Sequence, residues 1–76
     1  MTTKAFILIE TLVGRSKEIV DLLRHTEGVK SVDMVTGAYD IIAVIEAKNL
    51  SAIGDMVTEK IHPIAGISRT ITCLAL

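Results

Sequence analysis

Residues 36–40 read TGAYD and hold the chain's only tyrosine directly beside a carboxylate. Two readings of this turn are open. In the first, Gly37 supplies a positive φ, Asp40 bonds its own turn and Tyr39 packs against a neighbouring surface. In the second, the turn is a ligand rim. Asp40 then accepts from an ammonium group, and backbone N–H groups around Gly37 and Ala38 donate to a carboxylate where glycine permits close approach. Tyr39 would wall such a site or hydrogen-bond across a subunit interface.

The other reactive side chains are scattered. His25 and His62 fall near the ends of two helical segments, where an imidazole interacts with the helix dipole and where neither has a partner set for catalysis. Cys73 is the only cysteine, so no intrachain disulfide and no multi-thiolate zinc site is expected. Its apolar neighbours on the last strand read as those of a small buried hydrophobe. Glu10 and Glu46 sit at similar places on two apolar strands. They are either an acid–base pair or solvated strand ends pairing with Lys4, Arg15 or Arg69. Met34 and Met56 read as packing residues. There is no metal-ligand spacing and no phosphate-binding glycine loop, so neither metal nor cofactor is expected.

The elements that must position these residues follow from periodicity. KAFILIET (4–11) is an apolar strand. From Gly14 to Arg24 the period changes, with Ile19, Val20, Leu22, Leu23 and Thr26 on one side and Lys17, Glu18, Asp21 and Arg24 on the other. Gly28 closes that helix. VKSVDMVT (29–36) is a second strand, and DIIAVIEA (40–47) a third. Asn49 caps a helix whose face is Leu50, Ile53, Val57 and Ile61, and Pro63 stops it. GISRTITCLAL (66–76) is the last strand. The order β-α-β-β-α-β, with a weak repeat between residues 19–36 and 53–74, predicts an α+β ferredoxin-like sandwich. Its four-stranded antiparallel sheet carries both helices on one face, with strands one and three central. The whole chain, residues 1–76, is expected to be one domain.

Strands one and three do not alternate between apolar and polar. Ala5, Ile7 and Ile9 oppose Phe6 and Leu8; Ile41, Ala43 and Ile45 oppose Ile42 and Val44. Helices cover one face only, so the other presents an apolar patch that soluble monomers rarely expose. A symmetric dimer through the sheet is the expected solution. Composition agrees, since a 76-residue chain that is 50% hydrophobic lacks the interior to hide that surface. With 8 basic and 9 acidic residues, no basic cluster and two aromatic rings, direct binding to nucleic acid is not expected. No apolar run approaches the ~20 residues that span a bilayer, and residues 1–10 do not form a signal peptide; the expected location is the cytoplasm.

Around TGAYD the pattern V-x-x-V-x-x-V-T-G-x-Y-D, with an apolar strand after it, resembles the effector-binding domain of the Lrp/AsnC family. HPIAGISRTIT (62–72) resembles that family's Gly-apolar element and its Thr-x-Thr, and VGRSKEIVDLL (13–23) and EGVKSV (27–32) are similar to its glycine, helix and Gly-Val elements. The resemblance covers nearly the whole chain. Because the chain starts at strand one, it looks like the stand-alone (RAM) form without the helix-turn-helix domain. The resemblance implies dimers through the sheet that assemble into rings, commonly octamers and sometimes decamers, with amino-acid effectors bound between dimers. It places Gly37, Ala38, Tyr39 and Asp40 on the binding loop and Thr70 and Thr72 on the last-strand Thr-x-Thr. The leading expectation is thus an amino-acid-binding, oligomerising module of transcription regulation or amino-acid metabolism. Two rivals stand beside it: a small dimeric enzyme of monooxygenase or isomerase type, relying on Tyr39 and Asp40, and a ligand-free scaffold that assembles with full-length family regulators.

Overall fold

The computed structural model describes residues 2–76. The chain runs β1 (Thr3–Thr11), α1 (Ser16–Arg24), β2 (Val29–Met34), β3 (Ile41–Ala47), α2 (Leu50–Met56), a π-helical turn (Val57–Ile61) and β4 (Ile67–Leu74). All three strand pairings are antiparallel, in the order β2-β3-β1-β4. This is the expected ferredoxin-like α+β sandwich with the two most apolar strands at its centre.

The period-2 argument is realised in the burial of the central strands. Ala5, Ile7 and Ile9 of β1 and Ile41, Ala43 and Ile45 of β3 are fully buried. They pack with Val32 of β2, Ile19, Val20 and Leu23 of α1, and Ile53, Met56 and Ile61 from the α2 side. Fully burying one such aliphatic side chain contributes about 1.5–3 kcal/mol, so this layer is what holds the fold. Phe6, Leu8, Ile42 and Val44 lie on the opposite face, half-buried or exposed.

Local chemistry sets the helix ends. α1 starts at Ser16 rather than Gly14, because Gly14 takes a φ of 80° outside helical space. Leu22, expected on its buried side, is 55% exposed, so the apolar stripe is narrower than the sequence suggested. Asn49 caps α2 as expected, its side chain accepting from the Ala52 N–H at 2.8 Å. Beyond Met56 the helix does not continue as α: the His62 N–H reaches back to Val57 O at 2.8 Å, closing a π turn before Pro63.

Cys73 departs from expectation. It is exposed, not buried, because β4 is an edge strand and Cys73 pairs with Phe6 on the side of the sheet away from the helices. Among the described residues no helix is long and apolar enough to cross a membrane.

Two glycines give predictions of opposite sign. Gly66 has a φ of 98°, and a Cβ there would lie 3.0 Å from Arg15 Cβ and 3.2 Å from Cδ1 of the buried Ile19. Gly66→Ala is expected to lower the urea-unfolding free energy by about 1–3 kcal/mol. Gly54 lies in α2 with nothing within 4 Å of an added Cβ. Gly54→Ala is expected to raise stability by about 0.5–1 kcal/mol.

Candidate functional site

One end of the sheet brings several polar groups together around Asp40. β1 finishes there at Thr11, α1 begins at Ser16, and the β2–β3 connection, residues 35–40, returns to β3. Asp40 ties these pieces together through three hydrogen bonds. Its N–H donates to Ile9 O at 2.9 Å and its carbonyl accepts from the Val35 N–H at 2.9 Å. Its Oδ2 accepts from the Thr11 N–H at 2.8 Å. The Thr11 hydroxyl in turn meets Ser16 Oγ at 2.7 Å, fixing the first residue of α1 to the end of β1. Beside this latch lies an open groove of about 450 Å³, lined by Ser16, Met34, Val35, Thr36 and Asp40.

The groove has the makings of a small polar-ligand site. A carboxylate offers about four acceptor positions, and the Thr11 N–H occupies one of them at Oδ2. The half-buried Asp40 therefore retains capacity for an ammonium donor. Thr36 and Ser16 add hydroxyls, while Met34 and Val35 add an apolar wall. Gly37 has a φ of 129° with open space around it, which only glycine accepts. Ala38 is exposed, and Tyr39 is half-buried with no hydrogen bond from its hydroxyl to any described residue.

Thr70 and Thr72 stand elsewhere. They pair with Ile9 and Ile7, so they occupy the helix-facing side of β4. Because β1 separates β3 from β4, two strand spacings, about 10 Å, part Thr70 from the Asp40 side of the sheet. Within one chain the loop and the Thr-x-Thr do not form a single pocket. Glu10 and Glu46 are not an acid–base pair either. β1 and β3 run antiparallel, so Glu46 lies opposite Lys4 while Glu10 lies opposite Arg69 at the other end. Met34, expected to be packing, is 59% exposed and walls the groove. Ser16, Met34, Val35 and Thr36 were absent from the expected site. TGAYD already contained Thr36, but only the fold brings Ser16 across from α1.

Known proteins resemble this chain along nearly its whole length. Residues 4–76 match the model of the Lrp/AsnC ligand binding domain. An uncharacterised HTH-type transcriptional regulator of Pyrococcus furiosus is 32% identical over 96% of this chain and 51% of its own length. The chain thus spans about half the length of the curated relatives it matches. A hypothetical protein from Pyrococcus horikoshii, solved by crystallography, superposes with a TM-score of 0.91 at 34% identity, covering 100% of this chain and 90% of that one. A transcriptional regulator from Neisseria meningitidis, crystallised as a complex with L-Met, shares the fold with a TM-score of 0.88 at 18% identity, over 97% of this chain and 49% of that one. With both helices and all of the sheet but Thr3 inside the matched residues, this chain belongs to the Lrp/AsnC ligand-binding domain family.

Proposed function

We propose that this chain is an effector-binding regulatory module that takes a free amino acid at the Asp40 groove and self-assembles through its bare sheet face. The observation that carries the reading is the Asp40 carboxylate. It is held at a groove edge by the Thr11 N–H and still has acceptor capacity toward the opening. An α-amino acid also needs donors for its carboxylate, within a few ångströms of its ammonium. The backbone around Gly37 and Ala38 supplies such donors. Thr70 and Thr72 of the same chain stand too far across the sheet to share that ligand, so in this reading they meet the effector bound by a neighbouring copy. A site completed between copies also gives binding a route to regulation, because occupancy then stabilises one assembly over another.

Self-association rests on the other face of the sheet. Phe6, Leu8, Ile42, Val44, Ile71 and Cys73 form its centre, and Lys4, Glu10, Ser31, Asp33, Glu46 and Arg69 surround them. An apolar centre inside a polar rim is the anatomy of a protein–protein interface. The near-neutral charge and the scattered basic residues support regulation without direct DNA contact by this chain. L-methionine, the ligand of the Neisseria regulator, heads the candidates because Met34 and Val35 offer an apolar wall.

Isothermal titration against the twenty amino acids tests the reading. Saturable heat is expected with at least one of them, and with L-methionine before charged amino acids. A chain that is fully assembled yet gives no heat with any of them would leave the scaffold reading in its place.

A further inference from the structure

A second groove, of about 370 Å³, lies between α1 and the end of β2, lined by Lys17, Val20, Asp21, Arg24 and Met34. It adjoins the Asp40 groove at Met34, which walls both, and the two share no other lining residue. The four α1 residues fall at i, i+3, i+4 and i+7, so they form one stripe along the helix. β2 is an edge strand, so no further strand of this chain closes the groove on its outer side.

Its lining is graded from apolar to charged. Val20 belongs to the core and makes the floor. Val32 and Met34 both take the helix-facing side of β2; Val32 is buried, while Met34 stands clear of α1 and forms an accessible apolar wall. The charges stand above this floor. At about 100° per residue, measured from the side of α1 that buries Ile19, Val20 and Leu23, Arg24 and Lys17 lie about 90° and 110° round and Asp21 about 150°. The cations are thus nearer the apolar floor, and the carboxylate is on the outer lip. Among the described residues the ion pair present joins Arg15 to Glu18, so neither Lys17 nor Arg24 has a carboxylate at ion-pair distance. One terminal nitrogen of Arg24 donates to Val32 O at 3.4 Å, which leans the guanidinium over β2 and leaves its other N–H groups free to donate.

We infer that this groove binds a short aliphatic monocarboxylate that carries no ammonium group. The chain lies on Val20 and Met34, and the carboxylate sits between Arg24 and Lys17. A planar guanidinium offers a carboxylate two parallel N–H bonds, and the lysine adds a point charge. An α-ammonium group would be held against the same two cations, so an amino acid fits this groove poorly. Asp21 on the lip repels a second negative charge farther out, so a dicarboxylate fits poorly too. The site is separate from the Asp40 groove and does not rest on the amino-acid reading.

Sodium hexanoate is the probe. It is titrated into the intact chain at constant ionic strength, with ¹H–¹³C spectra of the valine and methionine methyls as the readout. Val20 and Met34 signals are expected to shift saturably. Val35, which lines only the Asp40 groove, is the internal reference and should not follow. Hexan-1-ol has the chain without the charge, and acetate has the charge with almost no chain. Each should bind at least about tenfold more weakly than hexanoate. L-Norleucine, which is hexanoate with an α-ammonium group, should shift Val20 far less. Arg24→Gln changes an exposed residue and keeps a donor for Val32 O. It should weaken hexanoate about tenfold, the effect of losing one hydrogen bond to a charged group, while Asp40→Asn leaves hexanoate binding unchanged. Val20 signals that stay in place, or that move together with Val35, overturn the site. Hexan-1-ol binding as tightly as hexanoate overturns it as well, since the two cations would then contribute nothing.

Discussion

Val44→Asp is expected to abolish the proposed sheet-to-sheet assembly and leave a folded 8.2 kDa monomer. Val44 pairs with Phe6 at the centre of the bare sheet face, with Leu8 and Ile42 alongside. A short carboxylate there cannot reach the polar rim when a second sheet covers it. An unpaired charge buried in an interface costs about 3–5 kcal/mol, and a two-fold interface contains the substitution twice. Together these exceed about 6 kcal/mol, or more than four decades in dissociation constant. The fold itself should survive, since Val44 is only half-buried within the chain and the helix-side core is untouched. Light scattering with circular dichroism checks both halves of the expectation. Val44→Thr, which keeps the shape and adds only a hydroxyl, should dissociate far less. A wild-type mass near that of one chain would sink the interface altogether.

The same face shows why much of the fold was legible in sequence. Ile7, Ile9, Ile41 and Ile45 sit at period-2 positions in strands too short and too β-branched for another reading, and they share the face that the helices bury; which of the two apolar faces that would be was not written in the pattern. Asn49 announced the start of α2 by the same kind of local chemistry. What sequence did not convey depends on contacts distant along the chain. Cys73 has apolar neighbours along its strand, but its pairing with Phe6 puts it on the sheet face that no helix covers, and it is exposed. Glu10 and Glu46 occupy equivalent places on their strands, and antiparallel pairing then sends them to opposite ends. The π turn left no mark in the apolar periodicity, because Ile61 is buried at its end just as the helical face predicted. The groove was half-legible. TGAYD named Asp40 and Thr36, but Ser16 joins them through the Thr11 hydroxyl, a link no spacing rule encodes.

Asp40 carries two duties, and two substitutions separate them. The structural duty is the hydrogen bond from the Thr11 N–H to Oδ2, which holds the entry of β3 to the end of β1. The proposed binding duty is acceptance from an effector's ammonium group. Asp40→Asn keeps a carbonyl oxygen for the Thr11 N–H and removes the charge. Its unfolding free energy should therefore stay near that of the wild type. Its affinity for whichever amino acid gives the largest heat should fall about 10- to 100-fold, the range for a hydrogen bond to a charged group. Asp40→Ala loses the acceptor as well and leaves the part-buried Thr11 N–H without its partner. It should show the same loss of affinity and, in addition, about 1–3 kcal/mol of lost stability. Chemical denaturation and calorimetric titration of both variants read the two duties independently. Should Asp40→Asn bind as tightly as the wild type while Asp40→Ala is destabilised, Asp40 is a latch between β1 and β3 and nothing more. The ammonium would then have to be recognised by other groups.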